Sequence, residues 1–592
     1  MKSRPHRTLV RLVQALTTAV LLVSCTTTGG QNAATEPPGQ TPASTPASLP
    51  MVSTAASETG PTPSTQQLSG DMVYDILLGE IAGQRGEMDV SVSRYLQAAA
   101  NAEDPRVAER AVQIASFAKQ YGLALEAAKR WVALDGDNME ARKSLTALAL
   151  QQGDLDEVVA QMDYMLRHAE DPGESFRMVT VVLARHENKQ AAVDATQQLV
   201  DRYPESFHAW MALSRLAVVA DQLDRALSAV DRALELQPGE TSAIILKAQV
   251  LVRQQRNADA TALLGEAVSS QPKNADLLFA YGRMLLDGED LDGARKQFLK
   301  VFKLEPGHAD ALYSLALLEL ETGDLKSGEQ HLKQLLELKQ HVQNARYYLG
   351  YATLEQGKQG EALDWYLKVE SGDYWSQAQL QAAAIMVKQG NIASMQDHMR
   401  TLRQKNTDMV VQLYLIEGQV LTDAGLHQQA LDMYARALEQ SPQDVDLLYS
   451  YSLTAEKLDR LDITETNMRR ILAKDPDNVR ALNALGYTLA DRTDRYQEAL
   501  EYISKAYVLE PDDPAIIDSM GWVYYRLGEL DKAREYLQQA WDKSNDSEIG
   551  AHYGEVLWMR GERDAARKVW ETSRKAMPDN PVLLEVINRL DP

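Results

Sequence analysis

Apolar residues in this chain recur at steps of three, four and seven, and the whole pattern repeats every 34 residues. In Phe207–Pro238, Trp210, Leu213 and Ala217 fall on one helical face, and Ala226, Val230 and Ala233 fall on a second. Val411–Pro442 repeats the slots with Tyr414, Gly418 and Leu421, then Ala430, Tyr434 and Ala437. Pro514–Ala540 repeats them with Ile517, Gly521 and Tyr524, then Ala533, Leu537 and Ala540. Such spacings mark amphipathic helices. Counted from the first residue of a unit, small residues at slots eight, twenty and twenty-seven predict close helix approach. Bulky residues at slots four, eleven and twenty-four fill the space between. Pro204, Pro238, Pro272 and Pro306 stand 34 residues apart, and the phase carries through to Pro442 and Pro476. Proline cannot continue a helix, so it separates units. Turn signals such as Gly323-Asp324, Gly425-Leu426 and Gly528-Glu529 separate the two helices within one. The pattern predicts an all-α solenoid of helix pairs.

These slots resemble the tetratricopeptide repeat (TPR) over most of the chain. About nine units are clear between Phe207 and Pro578. Weaker ones begin near Met139 and Gly173, and two more lie between Asp71 and Asp137; with the less regular units inside Phe207–Pro578 the total is about fifteen. One residue is inserted before Ala499, and the units near Ala309, Gln343 and Gln377 lack the closing proline. The resemblance implies a right-handed superhelix of antiparallel helix pairs whose first helices line a concave wall. Slots two, five, nine, twelve and thirteen face that groove. Slot five reads Met211, Ile245, Phe279, Tyr313, Tyr347, Gln381, Leu415, Tyr449, Asn483 and Asp518. Slot nine adds Leu317, Tyr351, Ile385, Leu453, Tyr487 and Trp522. Apolar side chains on an open wall point to a surface that a partner covers. The expected binding groove is Met211, Ile245, Phe279, Tyr313, Leu317, Tyr347, Tyr351, Leu415 and Tyr449. The alternative is that individual side chains pack on the neighbouring unit. The lysine and asparagine pattern of carboxylate-clamping repeats is missing. Segment 338–406 loses its prolines and gathers Tyr347, Tyr348, Tyr351, Trp365, Tyr366, Tyr374 and Trp375, which reads as a bend, a docking site or drift of the pattern.

Ahead of the repeats, residues 1–24 read as a secretory leader. Lys2, Arg4, Arg7 and Arg11 precede the apolar run Leu12–Val23, which is too short for a permanent span. Leu22-Val23-Ser24-Cys25 resembles a bacterial lipobox, implying a mature chain that begins at a lipidated Cys25. By resemblance to lipoprotein sorting rules, Thr26 in place of aspartate favours the outer membrane. Cys25 is the only cysteine in 592 residues, so no intrachain disulfide and no cysteine-based zinc or catalytic site exists. Residues 25–70 form a Thr/Pro/Ser-rich tether that cannot bury enough apolar surface to fold. The expected order is therefore leader 1–24, tether 25–70, divergent repeats 71–206, regular array 207–580 and a capping helix in 581–592.

With 61 basic and 84 acidic residues the precursor carries a net charge of −23, and losing the leader makes the chain more acidic still. Such a surface repels nucleic acid and anionic lipid, so neither is an expected partner beyond the lipid anchor. The ten histidines show no His-Glu-x-x-His spacing, and the chain holds no G-x-S-x-G elbow, phosphate loop or dinucleotide fingerprint. No enzymatic activity, metal or cofactor is expected.

Leader, tether and long array together resemble outer-membrane lipoproteins of the LbcA type, the binding partners of a carboxyl-terminal processing protease. The stretches Ala481–Tyr487 and Asp518–Trp522 share that resemblance with other bacterial TPR proteins. It implies a periplasmic adaptor that holds a serine protease and presents peptidoglycan cross-link hydrolases to it. The rival expectation is a scaffold for exopolysaccharide export. A third is an enzyme within Asp71–Pro204.

Overall fold

The computed structural model describes residues 69–168 and 171–591, the side chains at 172 and 179 excepted. The leader expected at 1–24, Cys25 and all but the last two residues of the tether expected at 25–70 lie outside the described residues; Ser69 and Gly70 cap and begin the first described helix. Among the described residues there are 31 α-helices and no strand. Along the chain they form fifteen consecutive pairs and a last helix, Pro581–Leu590. The chain divides into two compact units, Met1–Asp324 and Leu325–Pro592. In the first, helix Phe207–Val219 packs on Lys189–Arg202, on Leu223–Leu236 and on the preceding first helix Pro172–Ala184. In the second, Val479–Arg492 packs on Tyr496–Leu509 and on the next first helix, Pro514–Arg526. Each unit is a stack of helix pairs in which helices bury their faces on chain neighbours.

The slot chemistry explains this packing. A Cβ on Gly282 would stand 2.7 Å from the Phe298 ring, one on Gly350 2.6 Å from Tyr366, and one on Gly521 2.5 Å from Leu537. Gly418 meets Tyr434 and Gly554 meets Trp570 in the same way. Each pair is slot eight against slot twenty-four. Gly486 meets Ile503 rather than residue 502, because the residue inserted before Ala499 shifts the second helix by one. Hydroxyls at slot eight often donate back to their own helix, as at Thr146, Thr180 and Ser452, but two at slots eight and twenty cross the helix pair. Ser214 Oγ donates to the Ala226 carbonyl (2.9 Å) and Thr464 Oγ1 to that of Ser452 (3.1 Å).

Two regularities of the turns escape the apolar pattern. Each unit-closing proline stands two residues before a helix N-cap. Ser206, Asn274, Asp444 and Asn478 follow Pro204, Pro272, Pro442 and Pro476, and each accepts a hydrogen bond from the backbone N–H three residues on. His308 does the same through Nδ1, from Ala311. The proline ends one helix while the cap satisfies the open donors of the next. In most units the inner turn places slot fifteen in the left-handed region, Thr493 being an extended exception. Glycine fills it at Gly323, Gly425 and Gly528, but Asp221, Gln255, Glu289 and Asp459 adopt it too, with φ near 60°.

Candidate partner-binding faces

The nine expected groove residues separate by burial. In the first unit Met211, Tyr313 and Leu317 are only 3 %, 7 % and 1 % exposed, so they are core rather than open wall. Met211 is covered by Ala243 and Leu246 of the following first helix. Helix Ala309–Glu321 buries nine of the ten positions from Ala311 to Leu320, including Tyr313 and Leu317. A helix apolar all round has no distinguishable inner face, and the slot rule fails there. Ile245 and Phe279 remain half-buried. The Phe279 ring packs at 5.7 Å from Phe298 and 5.0 Å from His308.

In the second unit Tyr347, Tyr351, Leu415 and Tyr449 are half-buried. Tyr449 carries the Arg480 guanidinium at 4.2 Å from its ring centre. Tyr347 stacks on Tyr374 at 4.6 Å and 12°. The region 338–406 owes this to a shortened second helix, Gln359–Leu367. The chain leaves the helix early, and Tyr374 returns to the first helix, where its hydroxyl meets that of Tyr348 (2.9 Å). Tyr366 fills the space beside Gly350. The tyrosines that stood out in the sequence thus pack mainly on one another, replacing the missing turn. Burial pushes the Tyr347 hydroxyl pKa up, with the neighbouring phenols Tyr374 and Tyr351 adding to it.

The last units hold a polar cluster on the same slots. His552 is buried, donates from Nδ1 to Asp518 (2.9 Å) and stacks on Trp522 at 4.2 Å and 25°. Its Nε2 lies 3.4 Å from the Tyr487 hydroxyl. Trp522 Nε1 donates to Asp491 (3.1 Å). Burial alone would lower the imidazole pKa. The charge and hydrogen bond of Asp518, with Glu548 and Asp491 beyond, outweigh burial and raise it. Burial also raises the Glu456 and Glu548 carboxyls, and the nearby Lys457 opposes this at both. Sequence reasoning placed Asp518, Tyr487 and Trp522 on the inner slots but missed their link to His552. The available signal was separation: Asp518 and His552 lie one period, 34 residues, apart. So do Asp446 with Arg480 and Glu555 with Arg589, whose side chains form ion pairs at 3.3 and 2.7 Å.

The His552–Asp518 pair has the donor geometry of an acid–base dyad, but Ser519, the hydroxyl beside it in sequence, donates to its own helix at Ala515. The pair ties neighbouring first helices together. Buried carboxylates elsewhere are likewise matched by arginine, as with Glu417 and Arg403 (2.5 Å), whose guanidinium also lies 4.1 Å from the Tyr414 ring centre. Acidic side chains in this chain are therefore not all solvated: several are built into the core. Among the described residues no group of three His, Cys, Asp or Glu side chains is placed to hold a metal, and no helix is long and apolar enough to cross a membrane.

Comparison with known proteins identifies the same kind of repeat over part of the chain. A tetratricopeptide-repeat model matches residues 182–241, 245–303, 285–341, 313–378 and 453–514, and a second such model matches 492–551. The TPR repeat-containing protein PA4667 of Pseudomonas aeruginosa is 36 % identical over 507 residues, covering 86 % of each chain. A TPR repeat-containing protein of Dictyostelium discoideum, DDB_G0285095, is 29 % identical over 145 residues, 23 % of this chain and 53 % of that one. Among solved structures, yeast Tom70 aligns with 71 % of this chain and 95 % of its own at 14 % identity, with a TM-score of 0.36.

Proposed function

The chain belongs to the tetratricopeptide-repeat protein family, and on that premise we propose that it is a non-enzymatic adaptor. In this reading it is a lipoprotein of the outer membrane, anchored through Cys25 and facing the periplasm. It binds a carboxyl-terminal processing serine protease and presents cell-wall hydrolases to it. One observation carries the binding half of this reading. Half-buried apolar side chains recur at the inner slots of first helices in both units, at Ile245 and Phe279 in one and at Leu415 and Tyr449 in the other. Each is already partly desolvated and held by its neighbours, so little freedom is lost when a partner covers it. The leader, Cys25 and the proline-rich tether support the location. The protease and its substrates rest on the overall layout shared with LbcA-type proteins.

The mechanism needs no chemistry from this chain. Two proteins bound to one scaffold meet at an effective concentration set by their spacing, which reaches the millimolar range for short flexible links. The catalytic groups belong to the protease. The test is affinity capture of the full chain from envelope extract, followed by reconstitution. A co-purifying serine protease whose cleavage of a cell-wall hydrolase accelerates when the purified chain is added supports the adaptor. Recovery of an outer-membrane porin with a polymer synthase, and no effect on proteolysis, replaces it with the export scaffold.

A further inference from the structure

The first described helix, Gly70–Gln84, carries an apolar stripe that the described residues leave largely open, the Arg94 guanidinium lying 5.9 Å from the Tyr74 ring centre. Tyr74, Leu77 and Ile81 are 46–59 % exposed, with Val73 beside them. The helix is in phase with the repeats: a Cβ on Gly79 would meet the Tyr95 ring, as one on Gly521 meets Leu537. Tyr74, Leu77 and Ile81 therefore occupy the slots held by Ala209, Ala212 and Leu216 in one interior unit and by Ile516, Ser519 and Val523 in another. Those six are at most 3 % exposed. The chain immediately upstream packs on those helices: Pro172–Ala184 and Lys189–Arg202 on Phe207–Val219, and Val479–Arg492 and Tyr496–Leu509 on Pro514–Arg526.

For the first unit the chain upstream is the tether. Residues 54–67, which stand where the nearer of those upstream helices would be, include Pro61 and Pro63 and no large apolar side chain. Between Cys25 and Ser69 the large apolar residues are Leu49, Met51, Val52 and Leu68, three of them within four positions. The exposed stripe and the apolar island in an otherwise polar tether are two oddities that account for each other. We propose that Leu49–Val52 folds back onto Tyr74, Leu77 and Ile81 and closes the open end of the stack.

The geometry allows it. The linker from Val52 to Ser69 spans up to about 55 Å when extended, whereas the stripe from Tyr74 to Ile81 is about 10 Å long. Attachment in the same chain gives the segment a millimolar effective concentration at the stripe. A second copy is the weaker candidate. A single helix face offers a few hundred Å², short of the roughly 800 Å² per partner that a stable interface needs. Docking also shortens the free tether to the 23 residues between Cys25 and Leu49, cutting its root-mean-square reach from roughly 35–40 Å to roughly 25–30 Å. The position of the array relative to its anchor would then depend on this contact. The proposal stands whether or not the protein's clients include a protease.

The test uses the full mature-length chain with Cys25→Ser, which leaves it free of cysteine. Met51→Cys with Leu77→Cys is expected to form an intramolecular disulfide on mild oxidation, while Met51→Cys with Val219→Cys is not. The triple change Leu49→Ser, Met51→Ser, Val52→Ser, which lies outside every described helix, is expected to speed amide exchange in Gly70–Asn101 at least about tenfold. Unchanged exchange, or equal disulfide yields from the two pairs, overturns the proposal. So does a concentration-dependent dimer that Leu77→Asp abolishes and the triple change leaves intact, since that places a second copy on the stripe.

Discussion

In most units slot fifteen takes a left-handed backbone whether or not glycine is present. Gln255, with φ of 61°, carries the steric cost of a Cβ in that region, which packing of the two flanking helices imposes. Gln255→Gly is expected to raise stability by up to about 1 kcal/mol, the relief being partly offset by the greater freedom of glycine in the unfolded chain. A shift of the urea midpoint to higher concentration at unchanged slope checks it. Slot eight has the opposite demand. At Gly521 the added methyl of Gly521→Ala would press on Leu537 Cγ at 2.5 Å and its backbone nitrogen at 3.1 Å. The neighbour cannot yield without moving its helix, so a loss of about 1–3 kcal/mol is expected with helical content retained. A midpoint equal to the parent's would mean that the two helices are looser than their spacing indicates.

At the scale of elements, the ties between successive first helices are electrostatic as well as apolar. His552 reaches Asp518 on the preceding first helix, and its pKa is raised. A base with a raised folded-state pKa contributes stability that is complete below its ordinary value, about 6.5, and lost as pH rises through the folded value. The raised Glu456 and Glu548 carboxyls act with the same sign, from about pH 4.3 upward. Stability of the C-terminal units should therefore fall as pH climbs past 6.5, and His552→Gln should flatten that slope while lowering stability at pH 6. Urea midpoints across the pH range decide it: a variant as pH-dependent as the parent removes His552 from the account. The last helix, Pro581–Leu590, supplies Leu583 to the terminal core and Arg589 to buried Glu555. Truncation after Pro578 leaves that carboxylate without its arginine and uncovers the apolar face. Glu555 keeps the Tyr525 hydroxyl but loses its charge partner, so a lower melting temperature is expected, with faster exchange concentrated in Ser547–Ala576.

For the whole molecule, binding and anchoring are separable. Tyr449→Glu places a charge on a half-buried inner slot and is expected to weaken partner capture at least about tenfold, with melting shifted by no more than a few degrees. Tyr313 would be a poor probe, because its side chain is core and its truncation would act through stability. Cys25→Ala is expected to move the protein from the membrane fraction to the soluble one and leave capture unchanged. Continued sedimentation with outer membrane would argue against a lipid anchor.

The 34-residue period was enough to fix helix number, pairing and the small-against-large contacts, down to the one-residue shift that brings Ile503 rather than residue 502 to Gly486. Those features follow from the spacing of apolar side chains on single helices, which is a local property of the chain. The sequence also held the proline-to-cap interval and the one-period pairing of Asp518 with His552, although apolar periodicity does not look for polar partners. Burial of Met211, Tyr313 and Leu317 was not decided locally. Slot five faces the groove on an isolated helix, but whether it stays open depends on what the next first helix brings, as Leu246 does over Met211. Tertiary packing likewise turned the tyrosine-rich segment into a self-filled gap and set non-glycine residues into a left-handed turn. A helix's own sequence states which faces are apolar, and only its neighbours determine which of those remain for a partner.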